Sequence, residues 1–364
     1  MKLLLIILSW FYKVVISIRH RLYNWGIFKS YAFDIPVVCV GNITVGGTGK
    51  TPMTEMLISQ LSDSYTIAML SRGYGRRTKG YHEVMTTDKY LDVGDEPLQV
   101  KLKYPNAVVV VCEDRVAAIR RIQKEHPEVT LIIMDDGFQH RRVRAKVNIV
   151  ILDATRPHTE DHLLPRGRLR DLPSRLSAAD FFIVSKCPEG LSALDRNLWC
   201  KDTRTIAYQK VYFSHIVTKP IEPVFYFEDR ELAGYGAQAI LLAGVGNPKP
   251  FVREAQQRFF VVDKMIVPDH HIYSVEDMER LRAMLSEHPR AIILMTEKDA
   301  VKLFRLRNLP EDMRRAMYYQ PIETELMPGD DKDFIGNLKA EIEFDANRGM
   351  TIERRKKTLD DDDI

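Results

Sequence analysis

Val40-Gly41-Asn42-Ile43-Thr44-Val45-Gly46-Gly47-Thr48-Gly49-Lys50-Thr51-Pro52 decides how the rest of this 364-residue chain is read. Ahead of it residues 35–40 form a short apolar run, the length of a buried strand. After it Met53, Met56, Leu57 and Leu61 recur at helical spacing, and Pro52 sits where the first turn of a helix tolerates proline. A strand, a glycine-rich turn, Gly-Lys-Thr and a helix together cradle nucleotide phosphates. On that reading Thr44, Val45, Gly46, Gly47, Thr48 and Gly49 supply the loop and its amides. Lys50 reaches the β/γ oxygens, and the Thr51 hydroxyl ligates Mg²⁺. Thr44 stands where the common pattern has its first glycine. A glycine-rich turn without a ligand is the bland alternative.

Working outward, the chain is long enough for two core-bearing domains, and 45% hydrophobic with 28% charged residues describes an ordinary globular protein. A net charge of +3 gives no argument for nucleic acid, and no obligate protein partner is inferred. Cys39, Cys112, Cys187 and Cys200 lack disulfide or metal spacing, which suits a reducing compartment. Leu4, Ile7, Leu8, Phe11, Val14, Val15 and Ile18 form one helical stripe, opposite Lys2, Ser9, Lys13, Ser17 and His20, with Trp10, Tyr12, Tyr23 and Trp25 as interfacial aromatics. Lys13 interrupts the run too early for a spanning helix, and no cleavage site follows. An interfacial membrane helix is expected, ahead of a helix packed on the protein or a true span.

From residue 31 to about 186, short β-branched runs at 37–40, 66–70, 108–112, 131–134, 147–152 and 181–184 alternate with amphipathic segments. That is the pattern of a parallel sheet covered on both faces. Functional groups in such sheets gather at the carboxyl ends of strands. The second run opens onto Ser71-Arg72-Gly73-Tyr74-Gly75-Arg76-Arg77, a basic loop suited to an anionic substrate. Gly94-Asp95-Glu96-Pro97 is either a turn whose aspartate caps a helix or a carboxylate presented as a base. Arg115 lies one turn beyond the third run and could reach phosphate. The fourth ends in Asp135-Asp136-Gly137-Phe138-Gln139-His140, the expected place for a Mg²⁺-holding carboxylate, with Gln139 beside the nucleotide. Arg115 and Arg170 are candidates to neutralise the transferring phosphoryl group.

Residues 205–230 read as connecting strands. A second βα pattern follows, with strands at 239–243, 260–266 and 291–295 and helices at 251–259 and from 274. His270 and His271 lie in the loop between. The expected organisation is therefore α/β: a membrane-associated helix (1–25), a P-loop nucleotide-binding domain (26–204), the connection (205–230), a smaller α/β domain (231–350) and a charged tail (351–364).

Laid side by side, these stretches resemble the tetraacyldisaccharide 4′-kinase family, the lipid A 4′-kinases of Gram-negative bacteria. The resemblance rests on 41–52, Ser71-Arg72-Gly73-Tyr74, Gly94-Asp95-Glu96-Pro97, Asp135-Asp136-Gly137-Phe138-Gln139-His140, Leu164-Pro165, Leu169-Arg170, Gly246-Asn247-Pro248, Pro268-Asp269-His270 and Thr296-Glu297-Lys298-Asp299. Thr44 fits that family, whereas Arg166 and Arg168 stand where many members carry alanine or proline. The resemblance implies a P-loop kinase that uses ATP and Mg²⁺ to phosphorylate the 4′-hydroxyl of a tetraacyldisaccharide 1-phosphate, giving lipid IVA. It implies a lipid disaccharide and a membrane surface as partners, at the cytoplasmic face of the bacterial inner membrane, with peripheral or monotopic attachment. Asp95 would accept the hydroxyl proton and His270 would orient it or tune it. Arg72, Tyr74, Arg76 and Arg77 would meet the lipid headgroup. The rival is a membrane-associated P-loop NTPase acting as a switch or motor, which gives no reason for a carboxylate and a histidine in separate domains.

Overall fold

The computed structural model describes residues 2–203, 205–229, 233–306 and 309–344, so the tail expected at 351–364 lies outside the described residues. Each apolar run becomes a strand within a residue or two of its expected bounds. In chain order come α1 (Lys2–Asn24), β1 (Val37–Gly41), α2 (Lys50–Leu61), β2 (Ile67–Ser71), β3 (His82–Glu83), α3 (Tyr90–Val93), α4 (Asp95–Lys103), β4 (Val108–Val111), α5 (Arg115–Glu125), β5 (Leu131–Asp135), β6 (Val147–Asp153) and β7 (Phe181–Ser185). Then follow α6 (Ala193–Asp202), β8 (Lys210–Thr218), β9 (Glu222–Pro223), β10 (Gln238–Ala243), α7 (Lys249–Arg258), β11 (Phe260–Ile266), α8 (Val275–Glu287), β12 (Ile292–Thr296), α9 (Glu297–Leu303), α10 (Glu311–Ala316), β13 (Met317–Gln320), β14 (Ile322–Leu326) and α11 (Asp330–Glu343).

Nine strands form one sheet in the order β14-β8-β7-β6-β1-β5-β2-β4-β3, and five form another in the order β11-β10-β12-β13-β9. From β8 to β4 neighbouring strands of the first sheet are parallel. Every residue of β1, β2, β5 and β7 is buried, as strands covered by helices on both faces require. The β1 strand lies between β5 and β6, where the chain's winding reverses, so the loop after it opens into the crevice that α/β sheets use for ligands.

Residues 322–343 depart from their expected place in the smaller domain. Strand β14 runs antiparallel to β8, and α11 buries Phe334, Leu338 and Ile342 in the core of the large sheet. Phe334 is fully buried, its ring 5.7 Å from that of Phe181 and 5.1 Å from that of Tyr212. The connecting region is likewise not free-standing, because β8 pairs parallel with β7.

Helix α1 inverts the usual arrangement. Leu4, Ile7, Phe11, Val15 and Ile18 face outward, with Phe11 62% exposed, while Ile16 and His20 are buried against the large sheet's unit. By length and composition Leu3–Asn24 is apolar enough to cross a membrane.

Candidate active site

Helix α2 begins at Lys50 without a side-chain cap, because its N-cap is Gly49 at φ 90°. An uncapped N-terminus presents unsatisfied N–H groups and the positive end of the helix dipole, which favours an anion there. The loop leading to it is braced from several sides. Asn42 Nδ2 donates to Thr48 Oγ1 at 2.6 Å, Ser185 Oγ donates to the Thr48 carbonyl at 2.7 Å, and Lys186 Nζ donates to the Gly47 carbonyl. Gly41 must be glycine: a Cβ there would stand 2.5 Å from the Phe138 Cβ. One expected contact is already used. The Val45 N–H donates to the Arg168 carbonyl at 2.8 Å, and Thr44 bridges antiparallel to Leu169, so this part of the loop is held by protein.

Register places the acidic pair beside this loop, since Asp135 of β5 stands opposite Val40 of β1. Asp135 is buried and accepts from Thr54 Oγ1 at 3.3 Å. Burial, with the charges of Glu96 and Asp136 added, pushes its carboxyl up to about 7. Asp136 sits at φ 49°, which turns it out of the strand line. Burial works against its ionisation, but hydrogen bonds from Arg170 and the nearby Lys50 win, and its carboxyl is held down to about 2. Arg170 Nη1 donates to Asp136 Oδ2 at 3.0 Å, and its Nη2 bonds Asp136 Oδ1 and Asn42 Oδ1. Lys50 Nζ lies 3.6 Å from Asp136 Oδ1.

The carboxylates suit a divalent cation. A buried acid raised by neighbouring like charge is a group that a cation would restore to its ionised form. Among the described residues no group of three or more His, Cys, Asp or Glu side chains is arranged to hold a metal. Mg²⁺ needs none, because one or two carboxylates, waters and substrate phosphates complete its shell. Thr51, Asp135 and Asp136 are the available protein donors. Gln139 is not aimed at a ligand: its Nε2 donates to the Asn42 carbonyl at 2.7 Å, so it braces the root of the loop.

Arg115 is buried, donating from Nη1 to the carbonyls of Cys112 at 2.8 Å and Glu113 at 3.2 Å. Its Nε and that of Arg170 are buried without a hydrogen-bond partner among the described residues. Burial lowers the Arg115 pKa and the charge of the exposed Arg72 lowers it further, while Asp136 and Asp135 oppose this. Arg76, expected at the substrate, turns inward instead: its Nη2 donates to Glu113 Oε1 and the Gly80 carbonyl, both at 2.6 Å, and only 2% of the side chain is exposed. Arg77 and Tyr74 remain exposed.

The second acid–base group bridges the two sheets. Helix α4 is capped by Gly94, so Asp95 is its first helical residue and not its cap. Its Oδ1 accepts from the Glu96 N–H at 3.0 Å, and its Oδ2 lies 3.1 Å from Nδ1 of His270, which comes from the other unit at φ 57°. The Tyr74 ring centroid is 4.9 Å from that of His270. Lys298 at the start of α9 joins the group, its Nζ 3.1 Å from Glu96 Oε1, 3.3 Å from Asp269 Oδ1 and 3.6 Å from Asp95 Oδ2. Burial raises the Asp95 pKa, but the His270 hydrogen bond and the Lys298 charge outweigh it and leave it lowered. The bond to Asp95 raises the His270 pKa against partial burial. Sequence reading passed over Lys298 and Asn42 although both lie inside quoted stretches. Nothing local marks Lys298, whose partner Glu96 is 202 residues away.

A family model described as tetraacyldisaccharide-1-P 4′-kinase matches residues 1–343. A Porphyromonas gingivalis protein named tetraacyldisaccharide 4′-kinase is 39% identical over 349 residues, covering 92% of this chain and 96% of its own. A Bacteroides fragilis protein of the same name is 34% identical over 356 residues, covering 95% of each. Among solved structures, LpxK from Aquifex aeolicus, crystallised in complex with ATP, superposes with a TM-score of 0.72 at 24% identity, over 94% of this chain and 99% of that one. That superposition supports the fold, and the residues that the family model matches include the phosphate loop, the acidic strand end, Asp95 and His270. The chain therefore belongs to the tetraacyldisaccharide-1-P 4′-kinase family.

Proposed function

We propose that the protein uses ATP to phosphorylate the 4′-hydroxyl of a tetraacyldisaccharide 1-phosphate, producing lipid IVA for lipid A. The observation that carries this beyond family membership is the Asp95–His270 pair, contributed by both units, with the neighbouring Glu96 near enough to Asp135 for its charge to help raise that carboxyl. A switch or motor NTPase needs no base for a hydroxyl nucleophile, and that reading is not favoured.

In this proposal the amides from Gly46 to Gly49 and the start of α2 hold the β- and γ-phosphates, and Lys50 leaves Asp136 to join them. Thr51 and Asp135 or Asp136 hold Mg²⁺, which supplies charge neutralisation on the phosphate oxygens. Arg115 and Arg170 face the charge that spreads over the transferring group, with the exposed Arg72, Arg77 and Tyr74 toward the lipid headgroup. Asp95 takes the proton from the 4′-hydroxyl as its oxygen bonds to the γ-phosphorus and the bond to ADP breaks. His270 holds the Asp95 carboxylate in place, and Lys298 supports its ionised form. In this reading 322–343 belongs with the P-loop unit, and the two units must stand together for the base to face the nucleotide.

The apolar face of α1 is proposed to lie in the cytoplasmic leaflet of the inner membrane, a peripheral or monotopic attachment that leaves acyl chains in lipid while the headgroup reaches the site. Purified protein with ATP, Mg²⁺ and detergent-dispersed disaccharide lipid should yield a lipid one phosphate heavier, with the new phosphomonoester at the 4′ position by NMR. Phosphate added elsewhere, or none, would overturn the reading.

A further inference from the structure

The outward face of α1 accounts for membrane attachment, but its inward face is wired to the chemistry. Tyr12 Oη donates to the Arg170 carbonyl at 2.9 Å. Arg19 Nη2 donates to the Gln139 carbonyl at 2.7 Å, three residues past Asp136. His20 Nε2 lies 2.6 Å from Oδ1 of Asp171, both side chains buried, and Arg141 Nη1 donates to the His20 carbonyl at 3.0 Å. Ser9 Oγ donates to the Leu163 carbonyl at 2.9 Å.

These bonds fall on two segments only. One is the loop that carries Arg170, and the other is the turn that carries Asp136 and Gln139. On its far side the first segment is held by the phosphate loop, because the N–H groups of Arg170 and Asp171 donate to the Ile43 carbonyl at 2.8 and 3.3 Å. Residues 169–171 are thus clamped between α1 and the phosphate loop, and the Arg170 guanidinium projects from the clamp onto Asp136 and Asn42.

We infer that Tyr12, Arg19 and His20 of α1 are positioning residues for phosphoryl transfer, fixing where Arg170 and the Asp136 turn stand. A simple anchor would need no polar contacts to these segments, and an anchor joined through a flexible stretch would hold the enzyme at lipid equally well. The arrangement couples the helix that meets the membrane to the groups that meet the transferring phosphoryl. The inference rests on reading Arg170 as a contact to that group.

The test is Tyr12→Phe, made in the native chain and in Arg170→Ala, and assayed with lipid in detergent micelles so that membrane partition does not limit turnover. Removing one hydrogen bond should lower kcat roughly three- to tenfold. The KM for lipid and sedimentation with phospholipid vesicles should stay unchanged. In the Arg170→Ala background the same substitution should cost nothing further, because no guanidinium remains to be placed, although any change in melting temperature should persist in both backgrounds. Arg19→Lys, which keeps a donor toward the Gln139 carbonyl, should recover most of what Arg19→Ala loses. An equal loss from Tyr12→Phe in both backgrounds would mean a structural role only and would overturn the inference. So would native kcat in Tyr12→Phe while Arg170→Ala is impaired. Full activity in Arg170→Ala would instead overturn the assignment of Arg170, and this inference with it.

Discussion

Replacing Asp95 with alanine should cripple phosphorylation without unfolding the protein or disturbing nucleotide binding. Asp95 is 5% exposed, and removing its side chain leaves Lys298 beside Glu96 and Asp269 at 3.1 and 3.3 Å, so no cation is stranded. A sugar hydroxyl is a poor nucleophile at neutral pH, and a positioned base contributes about 10²–10⁴-fold. At 1.36 kcal/mol per tenfold this is about 2.7–5.4 kcal/mol of barrier. Asp95→Asn should lose as much, since it keeps the shape and removes the basicity. If His270 only supports Asp95, the double alanine variant should lose little more than Asp95→Ala, because residues acting as one unit are not additive. The acid limb of the kcat/KM profile adds a check. In the native protein Asp95 is held below its ordinary range despite burial, by His270 first and then Lys298. Deleting His270 leaves burial less opposed, so the carboxyl should move up and the acid limb should shift to higher pH. The two groups titrate as a pair, so the limb belongs to both. The linked stability has the same sign: a carboxyl depressed below the unfolded value of about 3.9 stabilises the fold above that pH, and the contribution fades as pH falls through the folded value. Native turnover and an unchanged profile in Asp95→Ala would refute the reasoning. Asp95 would then be only a first-turn carboxylate of α4, and the base would have to be sought in Glu96, Asp135 or Asp136.

Three further outcomes follow from other parts of the molecule. Lys50→Ala should abolish turnover measured by lipid phosphorylation and weaken ATP binding by calorimetry, since the ammonium is the side-chain cation at the start of α2. Phe11→Asp with Val15→Asp should reduce vesicle sedimentation roughly tenfold or more, from about 1.5–3 kcal/mol of burial lost per side chain, with the melting temperature unchanged because both face outward. Phe334→Ala should destabilise the P-loop unit by about 3–5 kcal/mol in denaturant titration, since its ring fills the core between Phe181 and Tyr212. A small effect there would mean that α11 contributes little to the large sheet.

The sequence made the parallel sheet legible because each strand is a local apolar run bounded by turn residues, and the phosphate loop because its glycines and Lys50-Thr51 are contiguous. Asp135 and Asp136 were visible as charges ending an apolar strand. What escaped is non-local. The β14 strand pairs with β8 about a hundred residues earlier, and periodicity does not say which sheet a short strand joins. Arg72, Arg76 and Arg77 look equivalent in the chain, yet only Arg76 finds Glu113 and turns inward. The stripe on α1 was readable, but that its opposite face grips Arg170, Gln139 and Asp171 required the fold. Lys298 is one cation among many until α9 packs on α4 and sets it between Asp95, Glu96 and Asp269.

The central claim is tested most directly by following the γ-phosphoryl group. ATP labelled at the γ position is incubated with Mg²⁺, with or without detergent-dispersed tetraacyldisaccharide 1-phosphate, and the label is counted in organic and aqueous phases. The structure and the family predict label in the organic phase that requires lipid, disappears in Lys50→Ala and falls about 10²–10⁴-fold in Asp95→Ala. Label released as free phosphate at the same rate without lipid, with none in the organic phase, would contradict the account.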